Sequence, residues 1–147
     1  MPASATASIH KRFAVSAERV YDAWLDSQWL ARWMFGPAVR DEKIVRLTTD
    51  PRVGGKFSFV VDRGGTVVDH VGEYLALERP HRLVFTWATR DTLPATSKVT
   101  VLIEPLGETA CQLVLHHEMA ADWTAFVDRA AASWQKMADA LERALIA

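Results

Sequence analysis

The sequence predicts an α+β fold in which a long C-terminal amphipathic helix lies across a curved antiparallel sheet. Three observations predict it. Six stretches between Lys43 and His117 place apolar residues at alternate positions or in β-branched runs and are joined by tight turns, the signature of antiparallel strands with one covered face. From Asp122 onwards, Trp123, Phe126, Val127, Ala130, Trp134, Met137, Ala138, Leu141 and Leu145 recur at threes and fours, the spacing of one helix face. Between a first strand and the rest stand two short helical segments, each with a wide apolar stripe that must dock on something larger.

The elements follow in order. Met1 to Ser8 are small and uncharged and read as a flexible N-terminus, with residues 9–147 forming one domain. Ile9 to Ala14 is the first strand. Ser16 is placed to cap a helix from Ala17 to Leu25, and Glu18 complements its dipole. Asp26-Ser27 breaks that helix, and Ser27 caps a second one carrying Trp29, Leu30, Trp33 and Met34; Gly36-Pro37 ends it. Lys43 to Thr49 is a β-branched run. Asp50 to Gly55 is a turn, and Phe57, Phe59 and Val61 alternate with Lys56, Ser58 and Asp62. Gly64-Gly65 makes a hairpin into Thr66 to Glu78. After Arg79-Pro80-His81, Leu83, Phe85 and Trp87 share a face. Asp91 to Ala95 is a loop. Val99, Val101 and Ile103 mark the sixth strand, and Leu113, Leu115 and His117 the seventh. The last helix, about 25 residues at 1.5 Å each, is expected to reach nearly 40 Å.

Composition narrows the function. A net charge of −1 gives no basic footprint for nucleic acid or anionic lipid. No apolar run approaches the length of a membrane span, and nothing at the N-terminus reads as a signal peptide, so a cytoplasmic location and no membrane insertion are expected. The single cysteine, Cys111, excludes an internal disulfide and a zinc cluster of cysteines. His116 and His117 are adjacent on a strand and point to opposite faces, so they do not share an ion. No metal and no cofactor is expected, and no nucleophile motif is present. Six tryptophans, five of them in helical segments, are the unusual feature.

Four motifs in sequence carry a resemblance. They are Arg32-Trp33-Met34-Phe35-Gly36-Pro37; Asp50-Pro51-Arg52-Val53-Gly54-Gly55-Lys56-Phe57; Gly72-Glu73-Tyr74, then Pro80 and Leu83-Val84-Phe85-Thr86-Trp87; and Leu113-Val114-Leu115-His116-His117. Together they resemble the activator of heat-shock-protein-90 ATPase homologue-like family, within the START-like (SRPBCC) superfamily that includes the birch pollen allergen. Val53 stands where that family usually has proline. The resemblance implies the helix-grip fold, a curved seven-stranded antiparallel sheet wrapped around the C-terminal helix with two short helices after the first strand. It also implies a habit of binding hydrophobic ligands between sheet and helix. The eukaryotic co-chaperone that names the family works with an additional N-terminal domain, for which no counterpart is read in this sequence, so its role is expected to transfer poorly.

A straight helix cannot touch a twisted sheet everywhere, and the gap is either filled by large side chains or left as a cavity. The expected lining is Trp33, Phe57, Phe59, Tyr74, Phe85, Trp87, Val101, Leu115, His117, Trp123, Phe126, Trp134 and Met137. Tyr74 and His117 are its polar members. The expected function is binding of a small apolar or aromatic molecule by a carrier, sensor or sequestering protein. Two alternatives stand beside it: a cofactor-free cyclase, dehydratase or hydrolase using Tyr74 or His117 as acid or base, and a co-chaperone-like interaction protein. Exposed sheet edges make a homodimer a further expectation.

Overall fold

Alternation in the strands and the length of the last helix together set the architecture. The computed structural model describes residues 5–37 and 39–146. Strand β1 (Ala5–Phe13) leads to helices α1 (Ala17–Asp22) and α2 (Ser27–Trp33). Then come β2 (Lys43–Thr48), β3 (Lys56–Arg63), β4 (Thr66–Glu78), β5 (Arg82–Thr89), β6 (Ser97–Pro105) and β7 (Cys111–Met119), and the chain closes with α3 (Val127–Ile146). Every neighbouring pair is antiparallel, in the order β1-β7-β6-β5-β4-β3-β2. The chain thus starts at one edge, crosses to the other through α1 and α2, and meanders back until β7 pairs with β1. Bulges at Val45 in β2 and Leu75 in β4 place one extra residue against the partner strand, and both extra side chains are exposed. Such bulges raise local twist and bend the sheet.

The concave face is built by parity. Phe57, Phe59 and Val61 of β3, Leu83 and Phe85 of β5, Val99, Val101 and Ile103 of β6 and Leu113 and Leu115 of β7 are all buried. Gly72 in β4 belongs to this packing. A Cβ there would collide with the Phe57 ring and with the Thr86 carbonyl, so glycine makes room for both. Against this face α3 buries Trp134, Met137, Ala138, Ala140, Leu141 and Leu145. Its last turn is tied down where Arg19 Nη2 donates to the Leu145 carbonyl at 2.9 Å, a cation at the negative end of the helix. Lys11 on β1 pairs with Asp139 at 3.0 Å and Glu142 at 3.3 Å on the flank of α3.

Four boundaries differ from the sequence reading. β1 begins at Ala5, because β7 offers a ladder that extends to the Ala5–Met119 pair; the part of the flexible-terminus expectation that covers 1–4 lies outside the described residues. α1 ends at Asp22, short of Leu25. The cap of α2 is Asp26, whose carboxylate accepts from Gln28 N–H at 2.8 Å and suits the positive helix end better than Ser27 would. The final helix begins at Val127 and spans 20 residues, preceded by a 3-10 turn over Ala121–Phe126. Three residues per turn bring Trp123 against Phe126, with ring centroids 5.0 Å apart and the planes tilted by 47°, so a spacing of three fits either helix type.

Candidate functional site

The inward alternations do not stop where the core stops. Arg63 continues the face of Phe57, Phe59 and Val61; His70 shares the face of Val68, Gly72 and Tyr74; Trp87 follows Leu83 and Phe85; Ser97 precedes Val99; and His117 and Met119 follow Leu115. These ends converge on one side of the sheet, beneath the first half of α3. There the helix leaves Ala130, Ser133, Trp134 and Met137 over a cavity of about 630 Å³ rather than over packed side chains. Phe35 and Arg40, from the segment after α2, form one end wall. The 3-10 turns Arg90–Thr92 and Ala121–Phe126, with Arg129, form the mouth. A volume of this size is in the range of a drug-sized ligand site.

Tryptophans decide where the space ends. Trp24 meets Trp33 edge-on at 4.5 Å and lies 6.0 Å from Trp134 and 6.3 Å from Phe85, which closes the gap beside α1 and α2. Trp134 is therefore the floor, with Trp24 behind it and Trp87, at 5.6 Å, on the cavity side. Trp33 is anchored by its own indole N–H, which donates to the Ala23 carbonyl at 3.0 Å.

His117 sits in the lumen in a fixed protonation state. The Trp134 indole, which can only donate, gives its proton to His117 Nδ1 at 3.1 Å. Nδ1 is then the acceptor, so Nε2 carries the hydrogen and donates to Ser97 Oγ at 2.7 Å, while Ser97 donates onward to the Trp87 carbonyl at 2.9 Å. Burial depresses this imidazole to about 4. His70 has the opposite tautomer. Its Nδ1 donates to the Phe59 carbonyl at 3.2 Å, and Nε2 keeps its lone pair. Burial again lowers the pKa to about 4, opposed by the bond to Phe59 and reinforced by the nearby Arg63 cation.

One end of the cavity is charged. Glu42 is 4 % exposed and accepts from Gly36 N–H at 2.8 Å, from Arg40 Nη1 at 3.3 Å and from Arg63 Nε at 2.6 Å. Burial alone would raise its pKa, yet these donors hold the carboxyl below the ordinary range. Arg40 Nη1 also donates to the Met34 carbonyl at 2.8 Å, and its guanidinium lies over the Phe35 ring at 5.8 Å. Phe35 in turn packs on His70 at 4.9 Å and Trp87 at 6.5 Å.

Of the thirteen residues expected at the lining, Trp87, His117, Trp123, Phe126, Trp134 and Met137 are brought together around the cavity. Trp33, Phe57, Phe59, Tyr74, Phe85, Val101 and Leu115 are not: they are buried in the closed core, where Phe57 contacts Phe59, Tyr74 and Phe85 at 4.6, 5.4 and 5.7 Å. They lie away from the cavity, Trp33 on α2 and the others on the inward face of the sheet. Tyr74 is thus a core residue with a phenol raised by burial, remote in role from His117. Sequence reading missed Phe35, Arg40, Arg63, His70, Ser97, Met119 and Arg129. Parity carried a signal for Arg63, His70, Ser97 and Met119, which end or precede apolar runs, but a polar residue at a strand end reads as solvent-facing until the cavity is seen. No periodicity pointed to Arg40.

The family model described as Activator of Hsp90 ATPase homolog 1-like protein matches residues 14–145. Among solved structures, a Chromobacterium violaceum protein is similar at 23% identity, with 96% of each chain covered and a TM-score of 0.80. A Rhodobacter sphaeroides protein is similar at 19% identity over 99% of this chain and 95% of that one, with a TM-score of 0.82. An HSP90 activator from Plasmodium falciparum is similar at 28% identity over 78% of this chain and 73% of its own, with a TM-score of 0.62. None of the curated proteins compared gives a match.

Proposed function

This chain belongs to the Activator of Hsp90 ATPase homolog 1-like family, and from that premise we propose that it binds one small, largely apolar molecule in the cavity between the sheet and the first half of α3. The observation that carries this reading is the cavity itself, about 630 Å³, walled mostly by aromatic, methionine and alanine side chains. A carrier, sensor or sequestering role is the reading that such a cavity supports best.

The geometry of His117 supports binding over catalysis. A general base must offer a lone pair to the proton it removes. Here Nδ1 is occupied by Trp134 and Nε2 already carries hydrogen, so His117 cannot accept the Ser97 proton. The pair is wired to hold the cavity wall. The co-chaperone reading has behind it the family's name and the 28% identity to the Plasmodium activator, and no feature of the cavity calls for it.

Titration with N-phenyl-1-naphthylamine, a neutral aromatic probe, tests the reading. Trp87, Trp123 and Trp134 border the cavity, so saturable binding with a stoichiometry of one, quenched tryptophan emission and a raised melting temperature are expected. Absence of all three, there and across a panel of neutral apolar compounds, refutes it.

A further inference from the structure

The cavity is not uniformly apolar, and its charge has one sign. Three arginines line it, Arg40, Arg63 and Arg129, and among the described residues no Asp or Glu does. The acid that balances part of this charge, Glu42, is withdrawn behind the wall with no side-chain exposure, leaving Arg40 and Arg63 with one net positive charge between the three.

A guanidinium has five N–H groups. Arg63 uses Nε on Glu42, and both of its terminal nitrogens take no partner among the described residues. Arg40 uses Nη1 on Glu42 and the Met34 carbonyl, and its Nε and Nη2 take none. Glu42 fixes each arginine by one nitrogen, and the side chains are only 22% and 37% exposed. Two half-buried, braced guanidinium groups with unspent donors, at the end of an apolar chamber, suit a bidentate oxyanion acceptor. Phe35 and Trp87 begin the apolar wall immediately beside them.

We propose that the natural guest is an amphipathic organic anion, a carboxylate or sulfonate-like acid whose head meets Arg63 and Arg40 and whose apolar body runs along Trp87 and Trp134 towards the mouth. This rests on the binding function proposed above and names the class of molecule bound. Charge selects the guest from neutral lookalikes: an anion gains the arginines, and a neutral body of the same shape leaves them solvated in a narrowed space.

A matched pair of probes separates this inference from the reading beneath it. 8-Anilino-1-naphthalenesulfonate is N-phenyl-1-naphthylamine with one sulfonate added. The anion is expected to bind at least ten-fold more tightly, with that advantage shrinking as salt rises while the neutral probe is unaffected. Arg63→Gln should bring the two affinities within about two-fold. Because that change leaves Glu42 short of a partner, the double variant Arg63→Gln with Glu42→Gln is measured beside it, folding checked by circular dichroism. Displacement by decanoate against decanol asks whether an aliphatic acid is also preferred. Equal binding of the two naphthyl probes, or an anion preference untouched in both variants and insensitive to salt, overturns the inference while the cavity reading stands. Failure of both probes to bind sinks both.

Discussion

His117 and His70 are neutral because burial makes their charged forms costly, and that state ties stability to pH. Both titrate near 4 in the fold, against about 6.5 when unfolded. Between those values the unfolded chain holds more protons, so stability from these groups is complete above pH 6.5 and is lost as pH falls towards 4. About 1.4 kcal/mol per unit puts the loss near 3 kcal/mol for each histidine. Urea denaturation at pH 7 and pH 4.5 should show a clear fall in midpoint. A midpoint flat across that window would contradict the assigned protonation states. Trp134→Phe probes the same network from its donor side. Removing the indole N–H takes the donor from His117 Nδ1 but keeps the ring buried under carbon. The His117 pKa, read from its ring-proton shifts by NMR, should stay well below the ordinary value, with a stability cost of about 1 kcal/mol from the lost bond. A return to the ordinary value would mean that the indole donor, and not burial, depresses it.

Elements differ in how much of their final form the chain announces. The meander, the two short helices and the apolar face of α3 follow from periodicity and turn residues, and they appear as expected. What periodicity cannot give is depth along an element. Phe57 and Arg63 lie on the same face of β3, Phe57 enclosed by the rings of Phe59, Tyr74, Phe85 and Trp87 and Arg63 at the cavity end, a difference that alternation alone does not carry. The same holds for β7, where Leu115 is covered and His117 is not covered by carbon alone. The 3-10 turn over Ala121–Phe126 was hidden because a spacing of three satisfies both helix types. Gly72 is a case where the element's need is visible only in contact. The Phe57 ring and the Thr86 carbonyl occupy the space a side chain would take, and Gly72→Ala should cost about 2–3 kcal/mol by displacing both. Thermal unfolding measures it. A loss below about half a kcal/mol would mean that β4 shifts freely to accept a methyl group.

The whole molecule divides its long C-terminal helix between two tasks. The second half of α3 is pressed on the core, where Leu141 is fully buried and Leu145 nearly so. The first half spans the cavity, with Ser133 exposed and Trp123 and Phe126, just before it, each 41% exposed. Stability should therefore come from one end and binding from the other. Leu141→Ala empties a closed site and should cost about 2–5 kcal/mol, while the affinity of the folded fraction for an aromatic probe changes little. Ser133→Trp does the reverse. An indole placed on the cavity face of α3, one turn from Met137 and beside Trp134, fills space that holds no side chain, so it should cut probe affinity at least ten-fold with the melting temperature nearly unchanged. Measured together by calorimetry and fluorescence titration, the two variants should move on perpendicular axes. If Ser133→Trp unfolds the protein, or if Leu141→Ala abolishes binding in the folded state, then grip and pocket are one structure, and the division of α3 into a clamped half and a bridging half is wrong.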